Sequence, residues 1–182
     1  MKDLTLERLW PSFLNARYLT GNMAVLSDGD ISHAVKVGEL KIDPYRDSRL
    51  TPNGYDLGIA EILIPGQDAK VTQGTVKIPP MTRFIVSTEE VVGLGAMLTA
   101  QLWLRTSWIR KGVIASFGKV DSGFRGTLTL PALNSSTGPL EIEIGKTFAQ
   151  IVFERLESKP MKLYAERSGN YQDQRGITLG KP

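Results

Sequence analysis

The chain has no cysteine and a single histidine. Without thiols it forms no disulfide and offers no thiolate metal ligand. His33 falls on an expected early helix and reads as a structural or surface residue, and no Ser-His-Asp triad can be assembled convincingly around it. No G-x-x-x-x-G-K-[ST] loop is present, so any phosphate it binds is not held by a P-loop. No apolar run approaches the roughly 20 residues of a membrane-crossing helix. No secretory leader is visible at the start. The expectation is a cytoplasmic protein with no membrane partner. Positive charge is in small excess, 22 Lys+Arg against 19 Asp+Glu. It is scattered along the chain, so no nucleic-acid partner is expected. A net charge of +3 agrees equally with a polyanionic ligand and with ordinary surface chemistry. Internal repeats and low-complexity linkers are also missing.

What is present fits one compact all-β domain. A length of 182 residues with 41% hydrophobic content suffices for one core. Leu4, Leu6, Leu9, Trp10, Phe13 and Leu14 recur at helical spacing, with Pro11 starting or kinking the helix. Residues 1–22 are therefore expected to be a helical extension. Ser27 followed by Asp30 resembles a capping box and predicts a short helix through Val35, ended by Gly38. Short β-rich runs follow at 40–42, 62–64, 75–78 and 84–86. They continue at 98–104, 113–117, 126–130, 140–144 and 149–153, and Thr88–Val91 reads as a turn. Regular short strands between Pro, Gly, Asn and Asp clusters argue for a barrel or jelly roll.

The most informative stretch is Arg105–Asn134, RTSWIRKGVIASFGKVDSGFRGTLTLPALN. Arg105, Thr106, Ser107 and Arg110 supply guanidinium forks and hydroxyls suited to phosphate oxygens. Asp121 sits in a glycine turn with Gly123, Phe124 and Gly126. It is a candidate to hold one carboxylate near a polyphosphate, or simply a turn former. The arginines have a plain alternative as surface cations, and Phe124 as a core residue.

This stretch resembles the dCTP deaminase/dUTPase family, with its R-S-S-x-x-R block and I-D-x-G-[FYW]-x-G hairpin. S-D-G-D-I at Ser27–Ile31, N-G-Y-D-L at Asn53–Leu57, F-A-Q-I-V-F at Phe148–Phe153 and N-Y-Q-D-Q-R-G-I-T-L at Asn170–Leu179 resemble further family blocks in the right order. The resemblance covers about residues 24–180. It implies a mainly β, distorted barrel or jelly-roll domain over residues 23–167, a C-terminal lid over 168–182, and a homotrimer with shared active sites.

Two chemistries run on such a scaffold. Hydrolysis of dUTP needs a carboxylate to activate water against the α-phosphorus, with cations to neutralise the triphosphate. Deamination of dCTP, in the zinc-free deaminases that the chain resembles, needs a glutamate in D-x-G-[FW]-x-G-x-[IL]-x-L-E. The glutamate position here is Pro131, which has no acid to move a proton. Glu141 and Glu143 lie on a later strand and do not match the motif. Zinc-type deamination needs H-x-E and P-C-x-x-C, and the chain has neither. The Gly118-Lys119-Val120-Asp121 approach matches the dUTPase G-x-[IV]-D form, whereas the two-glutamine tail leans toward the deaminases. The expected activity is dUTP diphosphatase with magnesium. Zinc-independent dCTP deamination and a catalytically silent nucleotide-binding module are the alternatives.

The resemblance assigns Asp121 as the catalytic carboxylate. It places Arg105, Thr106, Ser107, Arg110, Phe124, Thr129, Gln150, Tyr164, Tyr171, Gln174 and Arg175 around dUTP or dCTP. Asp56 would orient an arginine or meet the magnesium through water, with a turn role as its alternative. Thr106 replaces a family serine and Asn170 a family lysine, for which Arg175 would compensate. Read without the family, the tail is a frayed, polar terminus. Read with the family, it is a lid, mobile without ligand, whose removal is expected to cut turnover sharply and to leave the fold nearly unchanged, because few apolar residues go with it.

Overall fold

The computed structural model describes residues 24–67 and 69–180. The expected extension at residues 1–22 lies outside the described residues. The first helix, α1 (Asp28–Lys36), starts where its capping box predicts. The Asp30 N–H donates to Ser27 Oγ at 3.2 Å, and the Ser27 N–H donates to the Asp30 carboxylate at 3.1 Å. Aspartate thus closes the box in the place usually held by glutamate. Gly38, at φ +77°, ends the helix. Ile31 and Ala34 face the core.

Thirteen strands follow among the described residues: β1 (Leu40–Asp43), β2 (Leu50–Thr51), β3 (Gly54–Leu63), β4 (Thr75–Ile78), β5 (Thr82–Thr88), β6 (Val91–Leu94), β7 (Leu98–Leu104), β8 (Val113–Ile114), β9 (Lys119–Val120), β10 (Arg125–Gly126), β11 (Thr129–Asn134), β12 (Leu140–Glu143) and β13 (Thr147–Arg155). The one-turn helix α2 (Thr106–Ile109) interrupts them, and α3 (Tyr164–Arg167) follows β13. Every strand pairing is antiparallel. The large sheet runs β8-β11-β5-β3-β13-β7-β9, with β2 on β3, and smaller sheets β1-β6-β10 and β4-β12 close over it.

The curl of the large sheet comes from β3. Its first half pairs with β13 and its second half with β5, with a register shift between Ile59 and Glu61. A bulge there bends the strand and sharpens its twist. The result is the mainly β, distorted jelly-roll barrel that the sequence predicts. Tyr55, Phe84, Phe148 and Phe153 are fully buried between the sheets. Phe84 meets Phe148 edge to face at 6.0 Å. Truncating such a ring to alanine typically costs about 3–5 kcal/mol. Among the described residues no helix is long and apolar enough to cross a membrane.

Several elements differ from the sequence reading. The run at 62–64 is only the end of β3, which also takes in Gly54–Leu57 of the N-G-Y-D-L block. Gly58 sits mid-strand because a Cβ there would lie 2.5 Å from the Arg49 guanidinium. Arg49 ion-pairs with Glu89 at 2.7 Å and with the fully buried Glu90, which also accepts from the Gly58 N–H at 3.0 Å. Residues 88–91 do turn, but the turn leads directly into β6, a strand the sequence reading missed. The 113–117 run shortens to Val113–Ile114. The 126–130 run splits into β10 and β11, and β11 continues through Pro131, which pairs opposite Ile85.

Candidate functional site

The Asp121 turn is built from β9 outward. The Phe124 N–H donates to the Asp121 carbonyl at 3.1 Å, and Gly123 N–H reaches the Leu94 carbonyl at 3.1 Å. Gly123 has φ +82°, and a Cβ there would meet Leu163 at 2.8 Å; glycine is required on both counts. Ser122 is buried and donates to the Leu98 carbonyl at 2.6 Å. These contacts fix the turn and leave Asp121 exposed. Its carboxylate has no ion pair or hydrogen bond among the described residues.

Asp121 opens onto a cavity of about 370 Å³. Phe124, Thr129, Tyr164, Tyr171 and Gln174, all expected site residues, line the same cavity. Phe124 is 6% exposed and meets Tyr164 edge to face at 5.5 Å, so it serves core and cavity together. The Tyr164 hydroxyl accepts from the Tyr171 N–H at 3.1 Å. Asp121 is the sole carboxylate among the described residues on this wall, and Pro131 also lines it. Arg83, Lys119 and Thr178 line it too, and sequence reasoning did not single them out. The alternation along β5 puts Arg83 on one face with Ile85, but sequence alone does not say which face meets a cavity.

The arginine cluster sits elsewhere. Arg105 precedes α2, and its Nε donates to the Asp56 carboxylate at 2.9 Å. A second guanidinium nitrogen, Nη1, bonds Thr147 Oγ1. Asp56 is 8% exposed. Burial raises its pKa above the ordinary value, although Arg105 and Arg49 pull the other way. Trp108 anchors α2: its indole donates to the Thr147 carbonyl at 2.9 Å, and its ring packs on Phe148 at 5.9 Å. Arg105, Thr106, Ser107, Asp56 and Gln150 border a cavity of about 440 Å³, which shares no lining residue with the Asp121 cavity. Gln150 also donates to Thr51 Oγ1 at 2.8 Å. Arg110 is exposed at the end of α2 and lines neither cavity. Glu141 and Glu143 border a third space with Arg105 and Ser107, away from Asp121.

Between the two cavities lies an apolar groove with Trp103, Ile109 and Ile114 on its walls. These side chains are 58%, 53% and 60% exposed. Trp108 is a core residue, whereas Trp103 stands in the open.

The tail is fastened to its own barrel, in contrast to a frayed terminus. Thr127 N–H donates to the Gln174 carbonyl at 3.1 Å, and Gln174 Nε2 donates back to the Thr127 carbonyl at 2.6 Å. Arg125 pairs with Asp173. The Thr129 hydroxyl accepts from the Thr178 N–H at 3.1 Å, so it is already engaged by the tail. Ile177 is buried, which corrects the expectation that the tail's removal costs little packing. Arg175 folds back onto the carbonyls of Asp173 and Gln174 at 3.2 and 2.8 Å. It does not line the Asp121 cavity. Among the described residues no three Asp, Glu or His side chains converge as a metal site.

A family model described as dCTP deaminase-like matches residues 65–156. A dCTP deaminase of Pyrococcus horikoshii is 38% identical over 145 residues, covering 79% of this chain and 91% of that protein. A probable deoxyuridine 5'-triphosphate nucleotidohydrolase of Sulfolobus islandicus rod-shaped virus 1 is 31% identical over 159 residues, covering 86% and 98%. The crystal structure of 2'-deoxycytidine 5'-triphosphate deaminase from Agrobacterium tumefaciens matches with a TM-score of 0.62 at 20% identity, over 73% of this chain and 49% of that one. That last likeness is one of fold.

Proposed function

Since the chain belongs to the dCTP deaminase-like family, we propose that it hydrolyses dUTP to dUMP and pyrophosphate. One observation carries this reading. The Asp121 cavity holds a free carboxylate, but at the position of the deaminase glutamate it presents Pro131. An aspartate suffices to activate water, whereas proline moves no proton.

In this reading the pyrimidine and deoxyribose occupy the Asp121 cavity, against Phe124 and Tyr164. Asp121 takes a proton from a water that attacks the α-phosphorus. The bond from that phosphorus to its bridging oxygen breaks, and pyrophosphate departs. Arg105, Thr106, Ser107 and Arg110 grip the phosphate oxygens. Asp56 and Thr147 already hold two guanidinium nitrogens of Arg105, which fixes the fork before substrate arrives. The two groups line separate cavities of one chain. This agrees with the homotrimer that the family resemblance implies, in which one subunit's arginines would face a neighbour's Asp121. The donor set does not fit a magnesium ion held by protein ligands, because Asp56 is engaged by Arg105 and no acidic cluster accompanies it among the described residues. Magnesium enters instead as the counter-ion of the triphosphate substrate.

The name of the Pyrococcus relative favours a second reading, dCTP deamination, in which water attacks C4 of cytosine and ammonia leaves. One experiment separates the two. The purified protein is given dUTP or dCTP separately, and pyrophosphate and ammonia are measured. Pyrophosphate from dUTP without ammonia from dCTP is expected. Sustained ammonia release from dCTP overturns the proposal.

A further inference from the structure

We propose that Glu61 and Lys70 form a clamp that holds residues 174–180 as a preset wall of the Asp121 cavity, making both of them positioning residues for the nucleotide. The kinetic half of this proposal rests on dUTP hydrolysis as the activity; the clamp itself does not.

Glu61 lies on β3 immediately after its register shift. Its Oε1 accepts from the Ile177 N–H and from Lys70 Nζ, the latter at 3.1 Å. The same Lys70 ammonium donates to the Ile177 carbonyl at 3.2 Å. One ion pair therefore occupies both backbone groups of a single tail residue. Gly176, at φ +66°, lets the carboxylate come close, since a Cβ there would lie 2.6 Å from Glu61 Oε1. The Glu61 side chain is only 14% exposed, so this is more than a solvated surface pair, whose worth is near zero. Neither clamp residue lines the cavity, but Gln174, Thr178, Leu179 and Gly180 on either side of the clamped residue do. Gln174 Oε1 is buried there without a hydrogen-bond partner.

The physical consequence is pre-organisation. A wall that is already in place costs nothing to order when ligand binds. If the clamp is broken, the closed wall becomes a fraction of the population, and apparent affinity falls by that fraction. Saturating ligand still draws the wall shut, so turnover at saturation is largely kept. A purely structural pair behaves otherwise: its loss lowers the melting temperature and leaves KM alone.

The test uses the full chain with Glu61→Gln and, separately, Lys70→Met, which keeps the carboxylate and so guards against a folding failure. Without nucleotide, amide exchange at Ile177 and Thr178 is expected to quicken by about tenfold or more, the worth of a charge-assisted hydrogen bond. With dUTP, KM is expected to rise by about tenfold or more while kcat stays within about threefold. Unchanged exchange in both variants overturns the clamp. Quickened exchange with unchanged KM overturns its positioning role. A wild-type protein that releases no pyrophosphate from dUTP sinks the hydrolysis reading and leaves the exchange result standing.

Discussion

At the residue scale, Asp121 is distinguished by what it lacks. The turn around it is fixed by backbone bonds and by buried Ser122, yet no cation among the described residues neutralises its carboxylate. Asp121→Asn is expected to cut turnover of dUTP by about 10²–10⁴-fold, the usual worth of a general base. Calorimetric titration with a non-hydrolysable dUTP analogue should show nearly unchanged affinity, because the amide still holds water. Near-normal turnover would reduce Asp121 to a turn former. Much of this residue's company was legible in the sequence, because Phe124, Thr129, Tyr171 and Gln174 belong to ordered motifs. Arg83 and Lys119 were not, since nothing local tells an outward strand residue facing solvent from one facing a cavity. Arg175 shows the opposite failure. Its charge suggested a phosphate contact, but two carbonyls of its own turn lie nearer and take its guanidinium.

At the scale of elements, the β5–β6 turn is tied by charge to the segment between β1 and β2. Arg46 and Arg49 converge on Glu89, and Arg49 also reaches the buried Glu90. Burial pushes the Glu89 carboxyl up, but hydrogen bonds and charge from Arg46 and Arg49 outweigh it and hold it below its ordinary value. A depressed carboxylate stabilises the fold above the unfolded pKa, about 4.3 for glutamate, and that contribution is lost as pH falls through the folded value. The Glu89→Gln variant should therefore melt lower than wild type near neutrality, and the gap should narrow on acidification. Melting curves from about pH 6 to about pH 3 check this, and a constant gap would remove Glu89 from the acid response. The same cluster explains why β3 was only half legible. Gly58 reads as punctuation in sequence, whereas its missing side chain makes room for Arg49. Helix α1, β4 and β7 were read nearly to the residue because capping or alternation marks them without help from elsewhere. Strand β6 was missed because it lies between β1 and β10 and its Val-Val-Gly-Leu has no turn of its own to announce it. The expected run stopped at residue 130, yet β11 continues through Pro131 because pairing with β5 spans all six of its residues.

At the scale of the whole molecule, the separation of the two cavities is the governing feature. In the proposed enzyme, the carboxylate on one wall and the arginine cluster on another meet at one nucleotide because copies of the chain share sites. The exposed groove of Trp103, Ile109 and Ile114 supplies apolar surface between them. Asp121→Asn and Arg105→Ala proteins, each inactive alone, should regain activity when refolded together. Random closed assembly places an intact Asp121 beside an intact Arg105 in about one quarter of shared sites. A mixture that stays inactive would put both groups of each working site on one chain.

The clamp also bears on how the protein is made. Glu61 and Ile177 are 116 positions apart. At about 5–20 residues per second, a ribosome needs roughly 6–23 s to supply the second after the first. Most of the barrel can pair meanwhile, but the wall of the Asp121 cavity cannot. Nascent chains that have not yet reached Ile177, and fragments cut short before it, would therefore lack the preset wall of the proposed nucleotide site.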